Sequence, residues 1–120
     1  MYFSDHGAPG FLIFPHDSLY ADELEDTIKT MHNKTMYKEL VMFIEACESG
    51  SLFQNMDLSA LNAWALTATN ATSPSYGTYC YPHDSINDQH MYTCLGDLFS
   101  VTWMEFLEYN SNKLSEITLY

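Results

Sequence analysis

Val41-Met42-Phe43-Ile44-Glu45-Ala46-Cys47 decides the fold. Four consecutive large apolar residues, with β-branched Val41 and Ile44 at their ends, run into a carboxylate, a small residue and a thiol. Such a run shows no polar alternation, which is the pattern of a strand buried on both faces of a parallel sheet. A parallel strand needs a crossover before it, and the preceding residues supply one. From Asp22 onward Leu24, Ile28 and Met31 recur at i, i+4 and i+7, a single apolar stripe on a helix that reads as core. Asp22, Glu23, Glu25 and Asp26 crowd its first turn, where negative charge suits the positive end of the helix dipole. Met36, Tyr37 and Leu40 continue a helical spacing and predict one further turn.

Upstream, the residues to Phe3 read as the end of a strand that delivers Asp5-His6-Gly7 to a loop. Gly7, Pro9 and Gly10 break the pattern, and Phe11-Leu12-Ile13-Phe14 reads as a short strand stopped by Pro15. Strand, helix and buried strand form a βαβ unit with a right-handed crossover, so the class is α/β with a mostly parallel sheet. Downstream, Ala63 to Thr69 reads as a further strand and residues 70–96 as a long loop rich in Ser, Tyr, Pro, Asn and Asp. Asp97 to Tyr109 reads as an apolar helix, and Ser115 to Tyr120 as the start of another. No internal repeat, low-complexity tract or linker is visible. Three parallel strands without covering neighbours would leave a wide unpaired edge. The expectation is therefore a single partial domain over residues 1–120, cut at both ends and lacking its N-terminal part.

The bulk numbers narrow the function. A hydrophobic fraction of 47% and an aromatic fraction of 15% argue for a packed body. Sixteen acidic residues against four basic ones, a formal charge of -12, would repel phosphate backbones and anionic lipid. Nucleic-acid and membrane-surface partners are not expected. No apolar stretch approaches the ~20 residues of a membrane span. Met1 to His6 lacks the basic and apolar regions of a secretory leader. Asn33-Lys34-Thr35 and Asn70-Ala71-Thr72 are N-glycosylation sequons.

In open α/β sheets ligands bind beyond the carboxyl ends of the strands. His6 and Cys47 both fall there, each at a strand end. An imidazole beside a thiol makes it a potent nucleophile. Gly7 permits close backbone approach, and its N–H with that of Cys47 would form an oxyanion hole. The ordinary alternative for such residues is a structural cysteine and an unrelated surface histidine. His83 and His90 lie near Asp84 and Asp88, but without a ligand-spacing template they read as a solvated loop, not a metal site.

Local sequence decides between these readings. Tyr2-Phe3-Ser4-Asp5-His6-Gly7 and Ile44-Glu45-Ala46-Cys47-Glu48-Ser49-Gly50-Ser51 resemble the histidine and cysteine motifs of legumains, also called asparaginyl endopeptidases or vacuolar processing enzymes. The resemblance continues through Leu66 to Ala71, Ser75 to Cys80 and Thr93 to Glu105, and the last two stretches look most like the plant-type branch. The glycosylphosphatidylinositol transamidase subunit and the caspases share a His/Cys pair, but their expected local motifs differ from Asp5-His6-Gly7 and Glu45-Ala46-Cys47.

The resemblance implies a caspase-like three-layer fold and a cysteine endopeptidase that cuts after asparagine, with His6 and Cys47 as its dyad. It implies peptide or protein substrates, a vacuolar, lysosomal or secreted location, and no cofactor. An asparagine amide offers one acceptor and two donors, and Glu45, Ser75, Tyr76 and Asp97 fall at substrate-binding positions of the family. Gly77 occupies a position tied to the balance between hydrolysis and ligation, and glycine there resembles the hydrolytic members. Asp5 reads as structural. The resemblance also implies a Cys80–Cys94 disulfide. The family's orienting asparagine and pocket base lie upstream of its histidine motif, and none of Lys29, Lys34, Lys38 or Lys113 replaces that base. Residues 1–120 by themselves are accordingly expected to be inactive. The alternative reading is a truncated chain that at most binds peptides.

Overall fold

The computed structural model describes residues 1–111. Its elements are, in order, β1 (Tyr2–Ser4), β2 (Gly7–Ala8), β3 (Phe11–Phe14), β4 (Asp17–Tyr20), α1 (Ala21–Asn33), β5 (Leu40–Glu45), β6 (Ala63–Thr67), β7 (Gly77–Thr78), β8 (Ser85–Ile86), β9 (Gln89–His90), β10 (Gly96–Asp97) and α2 (Leu98–Tyr109). Short 3-10 turns lie at Ser49–Phe53 and Ser59–Leu61. Two compact units divide the chain, Met1–Ser75 and Tyr76–Tyr120, although no linker composition announces the division. The class is mixed α/β with a parallel sheet. Among the described residues no helix is long and apolar enough to cross a membrane.

The first unit is built around β5. It pairs in parallel with β1 on one side and β6 on the other, with Phe3 opposite Ile44 and Leu66 opposite Phe43. Burial is uneven across the two faces of β5: Met42 and Ile44, which share one face, are 0% exposed, whereas Val41 and Phe43 on the other are half-buried. Leu24 and Ile28 of α1 join Met42 and Ile44 in one cluster with Leu12, Ala46, Leu52 and Ala63. Leu12 comes from β3, the middle strand of an antiparallel sheet ordered β2-β3-β4. The Tyr20 N–H donates to the Glu23 carboxylate at 3.1 Å, which satisfies a backbone donor at the start of α1.

Three expectations change here. Gly7 and Ala8 are not loop but a short strand paired with Phe11 and Leu12. Met36 to Leu40 form no helical turn. The chain leaves α1 with Thr35 in the left-handed region (φ 51°), and Leu40 already opens β5. Tyr37 instead packs against the core while its hydroxyl donates to Leu61 C=O at 2.7 Å, so an apolar spacing that imitates a helix serves strand entry. The strand expected over Ala63 to Thr69 ends at Thr67. Beyond it the Thr67 hydroxyl donates to Thr69 C=O and the Gly50 N–H binds the same carbonyl.

In the second unit, the stretch expected as loop holds four short strands. β7 pairs antiparallel with β10, and β8 with β9. Asn87 and Asp88 both take positive φ (51° and 61°), the requirement of a two-residue hairpin turn that splays neither strand. Cys80 and Cys94 are joined by a disulfide, and the Tyr81–Pro82 peptide is cis. α2 begins at Asp97 as its N-cap residue. The helix expected at Ser115 to Tyr120 lies outside the described residues.

Candidate active site

β1 and β5 run in parallel to the same edge, with Ser4 opposite Glu45 and the Asp5 N–H donating to Glu45 C=O at 3.2 Å. The two segments stay together past the sheet. A Cβ built on Gly7 would stand 2.6 Å from the Cys47 carbonyl oxygen and 2.9 Å from the Ala46 Cβ, distances only a hydrogen atom tolerates. His6 lies between these two anchored residues and is exposed. Its N–H donates to the Asp5 carboxylate at 2.7 Å and its C=O accepts from Ile13 N–H at 3.0 Å. The backbone of His6-Gly7 is thus fixed against that of Ala46-Cys47 at the carboxyl rim of the sheet.

Cys47 is the free cysteine, and it is half-buried. Its Sγ accepts the Ser75 N–H at 3.3 Å and lies 3.5 Å from the Ser75 Oγ. Ser75, singled out from sequence as a substrate-binding residue, touches the sulfur itself. Glu45 is 2% exposed, so the carboxylate two residues before Cys47 is buried.

The turn after Cys47 is held by residues that sequence reading did not select. Glu48 takes a left-handed conformation (φ 48°) and its N–H donates to Ser73 C=O at 2.9 Å. Ser49 is 1% exposed, and its hydroxyl accepts the Thr69 N–H at 3.3 Å. A Cβ on Gly50 would come within 2.9 Å of the Asn70 carbonyl carbon and the Thr69 oxygen. The Ser51 Oγ accepts the Gly10 N–H at 2.8 Å. Ser49-Gly50-Ser51 therefore ties the cysteine turn to the segments on either side of it. The one available signal was a cluster of small turn residues straight after a strand end. From this turn an open groove of about 580 Å³ runs between Pro9, Gly10, Glu48, Ser51 and Thr72.

The other sequence-selected residues belong to the second unit. Asp97 and Gly77 are direct cross-strand partners. Gly77 has a structural reason of its own, because a Cβ there would meet the Cys94 Cβ at 2.9 Å and Sγ at 3.0 Å. Tyr76 is exposed, and its C=O accepts the Leu98 N–H at 2.9 Å, which places it at the start of α2. The Tyr79 hydroxyl donates to Glu105 of α2. This hydrogen bond, then burial, raises the Tyr79 pKa above its ordinary value.

The reading of residues 83–90 as solvated loop fails at Asp84, which is 0% exposed. Its carboxylate accepts from Tyr92 N–H at 2.7 Å and meets the His90 Nδ1 at 2.7 Å. Burial pushes its pKa up, but the His90 and Tyr92 hydrogen bonds outweigh this and hold it below the ordinary value of 3.8. A depressed carboxylate stabilises the fold above its unfolded pKa, and that contribution disappears as pH falls through the lower folded value. Tyrosine near-ultraviolet dichroism of the loop is therefore expected to hold from neutral pH to about pH 4 and to decline below it. In Asp84→Asn this acid step should be absent. An identical step in the variant would remove Asp84 as its origin.

Comparisons with known proteins agree with these motifs. The model of the Peptidase C13 family matches residues 1–120. A vacuolar-processing enzyme of Citrus sinensis is 48% identical over 106 residues, 88% of this chain and 22% of that protein. The vacuolar-processing enzyme beta-isozyme of Arabidopsis thaliana is 43% identical over 118 residues, 98% of this chain and 24% of the relative. A hemoglobinase of Schistosoma mansoni is 44% identical over 119 residues, 99% of this chain and 26% of the relative. The chain spans about a quarter of the length of the curated relatives it matches. With the whole of its sequence matched, the chain belongs to the Peptidase C13 family of cysteine peptidases.

Proposed function

We propose that this chain supplies the His6/Cys47 dyad of a legumain-type cysteine endopeptidase, forming part of a caspase-like three-layer domain. The observation that carries the reading is the approach of Gly7 to the Cys47 carbonyl, which ties the histidine-bearing strand end to the cysteine-bearing one. The Cys47 sulfur attacks the scissile carbonyl carbon as its proton passes to the His6 imidazole. The N–H groups of Gly7 and Cys47 receive the developing oxyanion. As the tetrahedral intermediate collapses, the C–N bond breaks and the leaving amine takes the proton from His6. Water, deprotonated by the same imidazole, then cleaves the thioester and returns the thiol.

The substrates are peptides and proteins cut after asparagine. Glu45, Ser75, Tyr76, Gly77 and Asp97 are assigned substrate-binding roles, with the carboxylates as acceptors for the amide N–H donors. Relatives named vacuolar-processing enzymes support work in a vacuole or lysosome.

The test compares fluorogenic peptides that differ only at the residue before the cut, using the full-length protein near pH 5. Cleavage after asparagine is expected to exceed cleavage after its leucine isostere by on the order of 10⁴-fold in kcat/KM, because an amide-binding site left unpaired discriminates strongly. Equal rates for the two peptides would end the asparagine assignment while leaving the dyad standing.

A further inference from the structure

We propose that Asn33 is a site of N-linked glycan attachment. Asn33 is the last residue of α1 and is exposed together with Lys34, Thr35 and Met36. At about 100° per residue it lies about 180° around the helix from Leu24 and about 140° from Ile28, the two residues α1 buries. The helix end closes without its side chain: Lys34 N–H donates to Thr30 C=O at 3.1 Å and Thr35 N–H to His32 C=O at 2.9 Å. Among the described residues no side-chain hydrogen bond engages the Asn33 carboxamide. A glycan there projects from the solvent face, displaces no packed group, and shields Met36, which is 63% exposed.

Asn70 stands in a different setting. Its Oδ1 accepts both the N–H and the hydroxyl of Thr72, at 2.9 and 3.3 Å, and Ala71 and Thr72 wall the groove that Glu48 and Ser51 also line. A glycan on Asn70 would stand over that groove, whereas one on Asn33 stands on the outer face of α1.

A second observation supplies the compartment. The Cys80–Cys94 disulfide belongs to an oxidising space, and lipid-linked oligosaccharide donors are used in such a lumen. In the transfer, the Asn33 Nδ2 forms a bond to the anomeric carbon of the donor sugar and loses one proton. The anomeric C–O bond breaks, and its electron pair leaves with the lipid diphosphate. No oxidant is needed.

The full-length protein, routed through the secretory pathway of a eukaryotic cell, tests the proposal by mass spectrometry of its tryptic peptides after amidase release in heavy-oxygen water. The Asn33 peptide is expected as the labelled aspartate form, with a mobility shift of one glycan between the intact protein and its Asn33→Gln variant. Asn33→Gln and Thr35→Ala should lose that shift, while Thr35→Ser and Asn70→Gln keep it. Because Thr35→Ser restores the acceptor hydroxyl, loss through misfolding separates from loss of the sequon. An unmodified Asn33 peptide in secreted, disulfide-bonded protein, or a shift lost only in Asn70→Gln, overturns the assignment. The readout is independent of peptidase activity.

Discussion

Cys47→Ala in the full-length protein is expected to lower kcat/KM on asparaginyl peptides by about 10⁴-fold or more, the scale on which enzymes lose rate when a covalent nucleophile is deleted. Its effect on folding should be small by comparison. The sulfur is half-buried, and its polar contacts are the Ser75 N–H at 3.3 Å and the Ser75 Oγ at 3.5 Å, while the neighbouring Ala46 remains fully covered. A change in unfolding free energy of about 1 kcal/mol or less is the corresponding expectation. His6→Ala should cause a loss of similar order. The double variant should then be no worse than Cys47→Ala, because residues that act as a unit are not additive. Retention of activity within tenfold in Cys47→Ala would remove the cysteine from the mechanism. Additive losses in the double variant would instead show the two side chains acting separately.

The parts of the fold that were legible in sequence are those where burial imposes a period. Met42 and Ile44 are apolar because they meet the core on one face of β5, and Val41 and Phe43 on the other face are half-buried. Leu24 and Ile28 share a stripe because one face of α1 meets the core. Met36, Tyr37 and Leu40 show where the same logic misleads. Their spacing suits a helix, but Tyr37 is used for its hydroxyl as well as its ring, and Leu40 belongs to the strand. The 76–97 stretch was opaque for another reason. Its order comes from a disulfide, two-residue ladders and one buried carboxylate that satisfies a backbone N–H, and none of these repeats along the chain.

The candidate site divides in the same way. His6 and Cys47 fall at the edge where α/β sheets bind ligands, but it was the family motifs around them that set them apart from a structural cysteine and a surface histidine. Ser49, Gly50 and Thr69 did not stand out, because what they do is hydrogen-bond or make room across a gap of twenty or so residues. Gly77 carries two readings. The family resemblance ties it to the outcome of the reaction, whereas the structure gives it a packing reason against Cys94. A larger side chain at Gly77 must therefore be judged first by whether the disulfide survives it.

Gly7→Ala is the sharpest test of the rim. The added methyl would stand 2.6 Å from the Cys47 oxygen and 2.9 Å from the Ala46 Cβ. Ala46 is 0% exposed and follows directly on β5, so the cysteine side cannot retreat into the core. The strain must be relieved by Gly7 moving outward, and His6 is the residue joined to it. Overpacking of this kind costs about 1–3 kcal/mol of stability. A displacement of about 1 Å between reacting groups is worth about 10²-fold in rate, so kcat should fall by that order even where the protein remains folded. Gly10→Ala is the contrasting variant. Gly10 has φ +85° and nothing within 4 Å of where a Cβ would stand, so alanine there suffers only the backbone cost of a left-handed residue, about 1–2 kcal/mol. Its activity at a temperature where it is folded should be close to that of the parent. Thermal melts paired with kcat for the two variants separate the cases. If Gly7→Ala behaved like Gly10→Ala, losing stability but keeping its turnover, the histidine strand end would have no part in positioning the chemistry at Cys47.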